Sequence, residues 1–260
     1  MEYSYSNMNK KRILLKVGTN TLTKETDQIS RGKIEDIARQ IATLKDKYEF
    51  IIVSSGAIAA ARQFVKLEHN GAEINVKQAL AAIGQPHLMR IFQENFRELG
   101  LLTSQCLLSY SDFEKEASKV NICNTINVLV ANNFIPIINE NDTVATDEIQ
   151  FGDNDKLAAL TAALIKVDLL IIATNTDGIY TKESIENNNP ETIKTVHNLE
   201  ELQWEVSGTK SSRGTGGMQS KIEAATIANE AKIETWVVNG LKDNFIIDAL
   251  NNQSNFTKIK

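Results

Sequence analysis

Five short segments of the chain bring lysines, small residues, carboxylates and amides together in patterns that could hold an anion or a polar small molecule. They are residues 16–20 (KVGTN), 53–57 (VSSGA), 138–143 (INENDT), 152–156 (GDNDK) and 214–221 (GTGGMQSK). Lys16 ends an apolar run, and a lysine at the end of a buried strand is costly unless it meets an anion. The second and fifth segments set glycines before helical stretches, whose first N–H groups attract anions. The third offers the donors and acceptors that a zwitterionic amino acid requires.

Each segment, taken alone, also has an ordinary structural interpretation. A strand-end lysine can reach solvent, and a glycine-containing turn with a serine can simply cap a helix. The third segment fits a polar Asx turn, the acidic residues of the fourth fit helix capping, and the fifth fits a flexible linker. The chain contains neither G-x-x-x-x-G-K-[ST] nor G-x-G-x-x-G, so it lacks a Walker A loop and a dinucleotide-dependent oxidoreductase is disfavoured.

Composition excludes several classes of function. In 260 residues, 28 basic against 33 acidic side chains give a net charge of −5, so bulk binding to nucleic acid or an anionic membrane is not expected. Two cysteines cannot build a disulfide framework or a four-cysteine zinc site, and the three histidines have no metal-binding spacing. No apolar run approaches the ~20 residues of a membrane span, and the first residues do not resemble a secretory signal. We therefore expect a cytoplasmic protein without a protein-built metal site.

The elements that must position these segments follow from hydrophobic patterning. Short apolar runs alternate with longer amphipathic stretches, which predicts an α/β fold with a largely parallel sheet covered on both faces. Strands are predicted at residues 12–17, 50–53, 101–108, 135–138, 169–173 and 235–238. Helices are predicted at residues 33–47, 57–66, 76–99, 113–132, 155–165 and 218–231. The polar stretches 182–195 and 207–217 are predicted to be loops, and residues 144–150 a small hairpin.

Taken together and in this order, five motifs resemble the amino acid kinase superfamily. They are K-V-G-T-N, S-S-G-A-I-A-A, P-I-I-N-E-N-D, F-G-D-N-D and G-T-G-G-M-Q-S-K. Within the superfamily, N-E-N-D followed by G-D-N-D is similar to the gamma-glutamyl kinase family. The resemblance extends from Lys11 to Gly240, and the combination is far more specific than any single motif.

The resemblance implies a fold and a division of the chain. The family fold is a three-layer α/β sandwich with a mostly parallel central sheet of about eight strands. It implies a single amino acid kinase domain over residues 1–260, with an N-terminal lobe at 9–166 for glutamate and a C-terminal lobe at 167–260 for ATP. Many family members carry a further C-terminal domain of a type associated with RNA binding. Only residues 241–260 follow Gly240 here, so we expect that domain to be absent.

The implied activity is transfer of the γ-phosphoryl group of ATP to the side-chain carboxylate of L-glutamate. The product is an acyl phosphate, and the reaction is the first step of proline synthesis. A glutamate carboxylate has a pKa of about 4.3 and needs no general base near neutral pH, which suits a chain without a histidine constellation. The obstacle is repulsion between an anionic nucleophile and an anionic triphosphate. At ~4 Å each like-charge pair costs about 4 kcal/mol at an effective dielectric constant near 20, so cations and backbone donors must offset it.

By the same resemblance, Lys16 contacts the transferring phosphoryl group from the acceptor side and Lys221 from the nucleotide side, while Asp155 holds both ammonium groups. The residues implied to bind glutamate, with Asp142 on the α-ammonium group, are Ser55, Gly56, Asn139, Asp142 and Asn154. The residues implied to line the ATP site are Lys16, Gly18, Thr174, Asn175, Thr215, Gly216, Gly217, Met218, Gln219, Ser220 and Lys221. ATP is a co-substrate, and Mg²⁺ is implied to bind mainly through its phosphates.

Three positions depart from the family pattern. Asn175 stands where the family usually has Asp, with Asp177 two residues on, which leaves the nucleotide contacts there open. Asn20 replaces a common serine and Ala61 a common glycine, and neither changes the expected reaction. The family also implies a homo-oligomer, feedback inhibition by proline at or near the glutamate site, and a functional link to gamma-glutamyl phosphate reductase. Two alternatives stay open. Another superfamily enzyme, such as an aspartate, acetylglutamate or uridylate kinase, is disfavoured by the N-E-N-D and G-D-N-D pair. A non-catalytic sensor of glutamate, proline or nucleotide is disfavoured by the presence of Lys16, Asp155 and Lys221.

Overall fold

The computed structural model describes residues 10–67, 73–145, 154–206 and 217–260. The strands in these ranges are β1 Lys11–Val17, β2 Tyr48–Ser54, β3 Leu102–Leu108, β4 Phe134–Glu140, β5 Leu169–Thr174, β6 Thr195–Val196, β7 Glu234–Asn239 and β8 Thr257–Ile259. They form one sheet in the order β3-β4-β2-β1-β5-β7-β8-β6. Neighbouring strands run parallel except β7 and β8, which are antiparallel.

Helices cover both faces of the sheet and give three layers. Those in the described ranges are α1 Thr19–Thr23, α2 Arg31–Leu44, α3 Ala57–Arg62, α4 Ile74–Glu98, α5 Glu116–Ala131, α6 Asp155–Ile165, α7 Lys182–Glu186, α8 Leu199–Val206, α9 Gly217–Glu230 and α10 Phe245–Leu250, with a 3₁₀ helix at Tyr110–Phe113. On one face, Ile37 of α2 and Phe92 of α4 join the strand residue Leu15 in a single core. On the other, Ile126 of α5 and Leu157 of α6 join Leu14. Among the helices described, none has both the length and the apolar character that a membrane crossing needs.

The central strand β1 shows how this layering positions a charge. Successive side chains of a strand point to opposite faces of the sheet. Leu15 and Val17 lie in the core formed with α2 and α4, whereas Leu14 lies in the core formed with α5, α6 and α9. Lys16 therefore points to the same face as Leu14, at the carboxyl end of the strand. That face carries the first residues of α6 and α9.

The three-layer α/β sandwich predicted from the sequence is confirmed. The six predicted strands correspond to β1–β5 and β7, and the six predicted helices to α2–α6 and α9, with ends that differ by at most four residues. The sequence analysis missed β6 and β8 because runs of two and three residues show no usable alternation. It also missed α1, α7, α8 and α10, all of which have eight residues or fewer.

The sequence predicts irregular structure in three stretches. The prediction of a loop over residues 182–195 is wrong in part, because α7 lies within it and begins where the Thr181 hydroxyl accepts from the N–H of Ser184. Residues 207–216 of the other predicted loop lie outside the described residues, and Gly217 begins α9. Residues 146–150 of the predicted hairpin also lie outside them.

Helices α3 and α4 cross with their backbones in close contact at Gly84. A Cβ atom on this glycine would lie 1.8 Å from the carbonyl oxygen of Ala57 and 2.8 Å from the amide nitrogen of Ala61. Backbone atoms in a packed crossing cannot move aside as the end of a flexible side chain can. Only glycine fits at this position, and the contact fixes the first turn of α3.

We expect Gly84→Ala to lower the free energy of unfolding by about 1–3 kcal/mol or more, because the added methyl group forces the two helices apart. Gly32→Ala in α2 is the matched control, since a Cβ there meets no atom within 4 Å. Alanine favours a helix interior over glycine by up to about 1 kcal/mol, so the control is expected to be neutral or slightly stabilised. Denaturant titrations of both variants measure the difference, and equal stabilities would contradict the close contact.

Candidate active site

A buried cluster of three charged residues lies at the carboxyl end of β1. Asp155, the first residue of α6, is fully buried, and its Oδ1 lies 2.6 Å from Nζ of Lys16. Its Oδ2 lies 2.9 Å from Nζ of Lys221, one turn into α9. Both lysines are buried too, with 2 % and 7 % of their surface exposed. The structure thus brings together the three residues that the sequence analysis assigned to phosphoryl transfer.

Among the described residues of the cluster, two ammonium groups share one carboxylate. Burial by itself raises the pKa of Asp155, but the charges and hydrogen bonds of Lys16 and Lys221 outweigh it and hold the pKa well below its usual range. The carboxylate is therefore ionised near neutral pH and is no candidate for a general base. Two ammonium groups this close together in a buried place repel each other, so an anion bound here would stabilise both.

Close backbone contacts hold the two lysines in place. A Cβ on Gly18 would lie 3.2 Å from Nζ of Lys16, so the glycine leaves room for the ammonium group. Nζ of Lys221 also donates to the carbonyl oxygen of Gly217, 2.8 Å away and one turn earlier in α9. The hydroxyl of Ser220 donates to the shared carboxylate at 3.1 Å. The sequence analysis places Ser220 only in the ATP site, and nothing in the motif indicated this second contact.

Two buried asparagines lie next to the cluster. Nδ2 of Asn154, which directly precedes α6, donates to the carbonyl oxygen of Ser54 and to Oδ1 of Asn139, each at 2.8 Å. The backbone N–H of Glu140 donates to the same Oδ1 at 2.9 Å. These bonds connect the ends of β2 and β4 to the start of α6.

Three buried oxygen atoms at this edge have no hydrogen-bond partner among the described residues. They are Ser55 Oγ, Asp142 Oδ1 and Asn154 Oδ1. A buried acceptor left unpaired costs about 1–3 kcal/mol, so the three favour a ligand that donates several hydrogen bonds. Burial raises the pKa of Asp142 to about 6, and a bound cation would favour its ionised form. An ammonium group meets both requirements.

A cleft of about 730 Å³ opens beside these acceptors and is lined by Gly56, Asp142 and the first residues of α3. Gly56 turns the chain from β2 into α3 with a φ of +100°, a left-handed conformation in which a side chain would be strained. Arg62 and Lys77 also line the cleft and bring positive charge to it, while Asp27 brings a further negative charge. The sequence analysis missed Arg62 and Lys77, because neither belongs to one of the five segments.

The residues assigned to ATP lie at the end of β5 and at the start of α9. Thr174 ends β5, and Nδ2 of Asn175 donates to Oε1 of Glu25 at 2.9 Å. An aspartate in place of Asn175 has no N–H group and could not make this bond. The asparagine that departs from the family pattern therefore has a partner in this chain, Glu25. The first residues of α9 are Gly217, Met218, Gln219, Ser220 and Lys221. Thr215 and Gly216 lie outside the described residues.

These groups share one edge because parallel strands bring their carboxyl ends together. Lys16, Asn139 and Thr174 stand at the ends of β1, β4 and β5, and Ser55 follows β2. The four strands are neighbours in the sheet, with β1 between β2 and β5. In open α/β sheets this edge is where ligands bind. The site combines buried cations, acceptors for an ammonium group and a cleft, as a kinase of small anionic metabolites requires.

Residues 11–239 match the amino acid kinase family, and the chain belongs to that family. It is 40% identical over 252 residues to a glutamate 5-kinase of Neisseria meningitidis serogroup A, with 95% of this chain and 68% of that protein covered. It is 42% identical over 248 residues to a glutamate 5-kinase of Clostridium acetobutylicum, with 95% of this chain and 92% of that protein covered. The family resemblance drawn from the five motifs is confirmed.

Two solved structures have the same fold at low sequence identity. The UMP kinase from Ureaplasma parvum gives a TM-score of 0.64 at 20% identity, over 97% of this chain and 100% of that chain. The carbamate kinase from Giardia lamblia bound to AMP-PNP gives 0.67 at 15% identity, over 96% of this chain and 98% of that chain. At these identities the likeness supports the fold alone.

Proposed function

We propose that this protein is an ATP-dependent kinase that phosphorylates the side-chain carboxylate of L-glutamate, the first step of proline synthesis. The observation that carries the proposal is the buried Lys16–Asp155–Lys221 cluster, whose two ammonium groups suit a transferring phosphoryl group. The identity of about 40% to glutamate 5-kinases, over nearly the whole chain, supports glutamate as the acceptor.

The reaction needs charge compensation rather than proton transfer. An oxygen of the glutamate side-chain carboxylate attacks the γ-phosphorus, an O–P bond forms, and the bond to the β,γ-bridging oxygen breaks. The electron pair leaves with ADP, and no proton moves. Lys16 on the acceptor side and Lys221 on the nucleotide side stabilise the charge that spreads over the phosphoryl oxygens. Asp155 contacts no reacting atom in this scheme and is a positioning residue for both ammonium groups.

The acceptor side of the site binds the amino-acid end of glutamate. Its α-ammonium group donates to the buried oxygens of Asp142, Asn154 and Ser55, which have no other partner among the described residues. Asn139 orients Asn154 through their mutual hydrogen bond. The backbone of Gly56 supplies a further contact at the start of α3.

The nucleotide side lies on the other flank of the cluster. Gly18, Thr174, Asn175 and the segment that runs from Thr215 through Lys221 are proposed to line the ATP site. Asp155 is already neutralised by two ammonium groups, so phosphate oxygens rather than this carboxylate are expected to hold Mg²⁺. When bound, the ion would neutralise phosphate charge. This assignment gives the acceptor site to a lobe at residues 9–166 and ATP to a lobe at 167–260, joined where β1 pairs with β5.

Further proposals follow from the chemistry of the product and of the ligand site. An acyl phosphate is prone to hydrolysis, which favours a functional link to gamma-glutamyl phosphate reductase. Proline carries an ammonium group and a carboxylate like glutamate, so inhibition by proline at the acceptor site is proposed.

The two free cysteines suit the cytoplasm. A homo-oligomer is proposed on the family resemblance.

Trapping the product with hydroxylamine tests the function directly. We expect the protein with ATP and Mg²⁺ to form a hydroxamate from glutamate, because hydroxylamine attacks an acyl phosphate. The panel includes aspartate and N-acetylglutamate, and a coupled ADP assay covers UMP. Hydroxamate from another acid but not from glutamate, or ADP release with UMP alone, would point to a different kinase of the family. Binding of glutamate or ATP without any turnover would indicate a sensor.

The pH dependence of glutamate binding tests the role of Asp142. Its pKa is raised to about 6, so acidification protonates the carboxyl and removes its attraction for the α-ammonium group. We expect KM for glutamate to rise roughly tenfold between about pH 7.5 and about pH 5, the range over which the ionised fraction falls by that factor. KM for ATP should change much less. In Asp142→Asn, KM should be raised but nearly constant over the same range, and a wild-type profile in that variant would contradict the assignment.

A further inference from the structure

Four amide side chains are joined by hydrogen bonds from the edge strand β3 to the proposed glutamate site. Nε2 of Gln85 donates to Oε1 of Gln105 at 3.2 Å. Oε1 of Gln85 accepts from Nδ2 of Asn139 at 2.8 Å, and Oδ1 of Asn139 accepts from Nδ2 of Asn154 at 2.8 Å. Gln85 lies in α4 with 8 % of its surface exposed. The reaction scheme above assigns no role to either glutamine.

Backbone groups fix the direction in which the inner amides point. Oδ1 of Asn139 faces the N–H of Glu140, which can only donate, and Nδ2 of Asn154 faces the carbonyl oxygen of Ser54, which can only accept. Nδ2 of Asn139 must therefore donate away from the site, and Gln85 supplies the acceptor. If that acceptor were lost, a buried N–H group of Asn139 would be unpaired, which lowers the free-energy difference between this orientation and the rotated amide.

The direction of the amides decides what the site presents to a ligand. With both hydrogen-bonding positions of its Nδ2 occupied, Asn154 keeps its Oδ1 as a buried atom without a partner among the described residues. An oxygen accepts from an ammonium group, whereas an amide NH₂ in its place would repel one. Rotation of Asn139 would remove one of the two bonds that hold Asn154 in this orientation.

We propose that Gln85 is a positioning residue for recognition of the α-ammonium group. It acts through Asn139, whose amide it holds so that Asn154 presents an acceptor to the substrate. The inference rests on the proposed function, because it takes glutamate as the ligand at this site. It assigns to α4 a part in selecting α-amino acids over dicarboxylic acids that lack an amino group.

The test compares glutamate with glutarate, which has the same two carboxylates but no ammonium group. We expect Gln85→Met to raise KM for glutamate about tenfold, the effect of one weakened buried hydrogen bond, with kcat and KM for ATP changed less than about threefold. For glutarate, kcat/KM should be unchanged. Where turnover of glutarate is undetectable, its Ki as a competitor of glutamate should be unchanged instead. The preference for glutamate over glutarate thus falls about tenfold. Gln85→Glu keeps an acceptor for Asn139 and should retain most of the preference.

Gln93→Met is the matched control, because Gln93 is exposed on the same helix. It should behave as the wild type. A Gln85→Met protein that keeps the wild-type preference, or that loses activity equally on both acids, would overturn the inference. If Gln85→Met yields too little folded protein, Gln85→Asn is used, because its shorter side chain withdraws the same acceptor by one methylene. The same loss of preference for glutamate over glutarate is expected. Failure of the wild type to form glutamyl hydroxamate would instead overturn the proposed function.

Discussion

The structure of the site depends on one buried carboxylate shared by two ammonium groups. Asp155 has no exposed surface, and Lys16 and Lys221 approach its two oxygens from different elements. Without the carboxylate, two like charges would face each other out of water. With it, both ammonium groups are held in place, and in the proposed reaction they stabilise the phosphoryl group in transfer. The same three residues thus hold this part of the fold together and form the proposed phosphoryl site.

The parallel sheet makes this arrangement attainable. Because β1, β2, β4 and β5 are parallel neighbours, their carboxyl ends deliver a lysine, a serine, an amide and a threonine to one edge. The start of α6 adds Asn154 and Asp155, so the roles proposed for acceptor recognition and for positioning the lysines fall on adjacent residues. The close backbone contact at Gly84 then holds α3 and α4 against that edge.

Sequence reasoning found the parts of the site that lie in local motifs and missed those that depend on tertiary contact. Lys16, Asp155 and Lys221 each belong to a short recognisable motif, and the co-linear order of these motifs indicated the family. Gln85 lies in the middle of a long helix, where the sequence offers no sign that its side chain meets a strand residue. The helical core was predictable from apolar periodicity, whereas β6 and β8 are too short to show any. The hydrogen bond between Asn175 and Glu25 could not be predicted, because the two residues are far apart in the chain.

The most direct test of the shared-carboxylate account is the steady-state kinetics of Lys16→Met and Lys221→Met. Each variant leaves Asp155 paired with one ammonium group, so folding should survive. We expect kcat to fall by about 100-fold or more in each, because a group that stabilises transition-state charge is lost. KM for glutamate should stay within about threefold, since neither lysine holds the amino-acid end. Lys119→Met, at an ion pair outside the site, should match the wild type. Turnover within about tenfold of the wild type in either active-site variant would contradict the account.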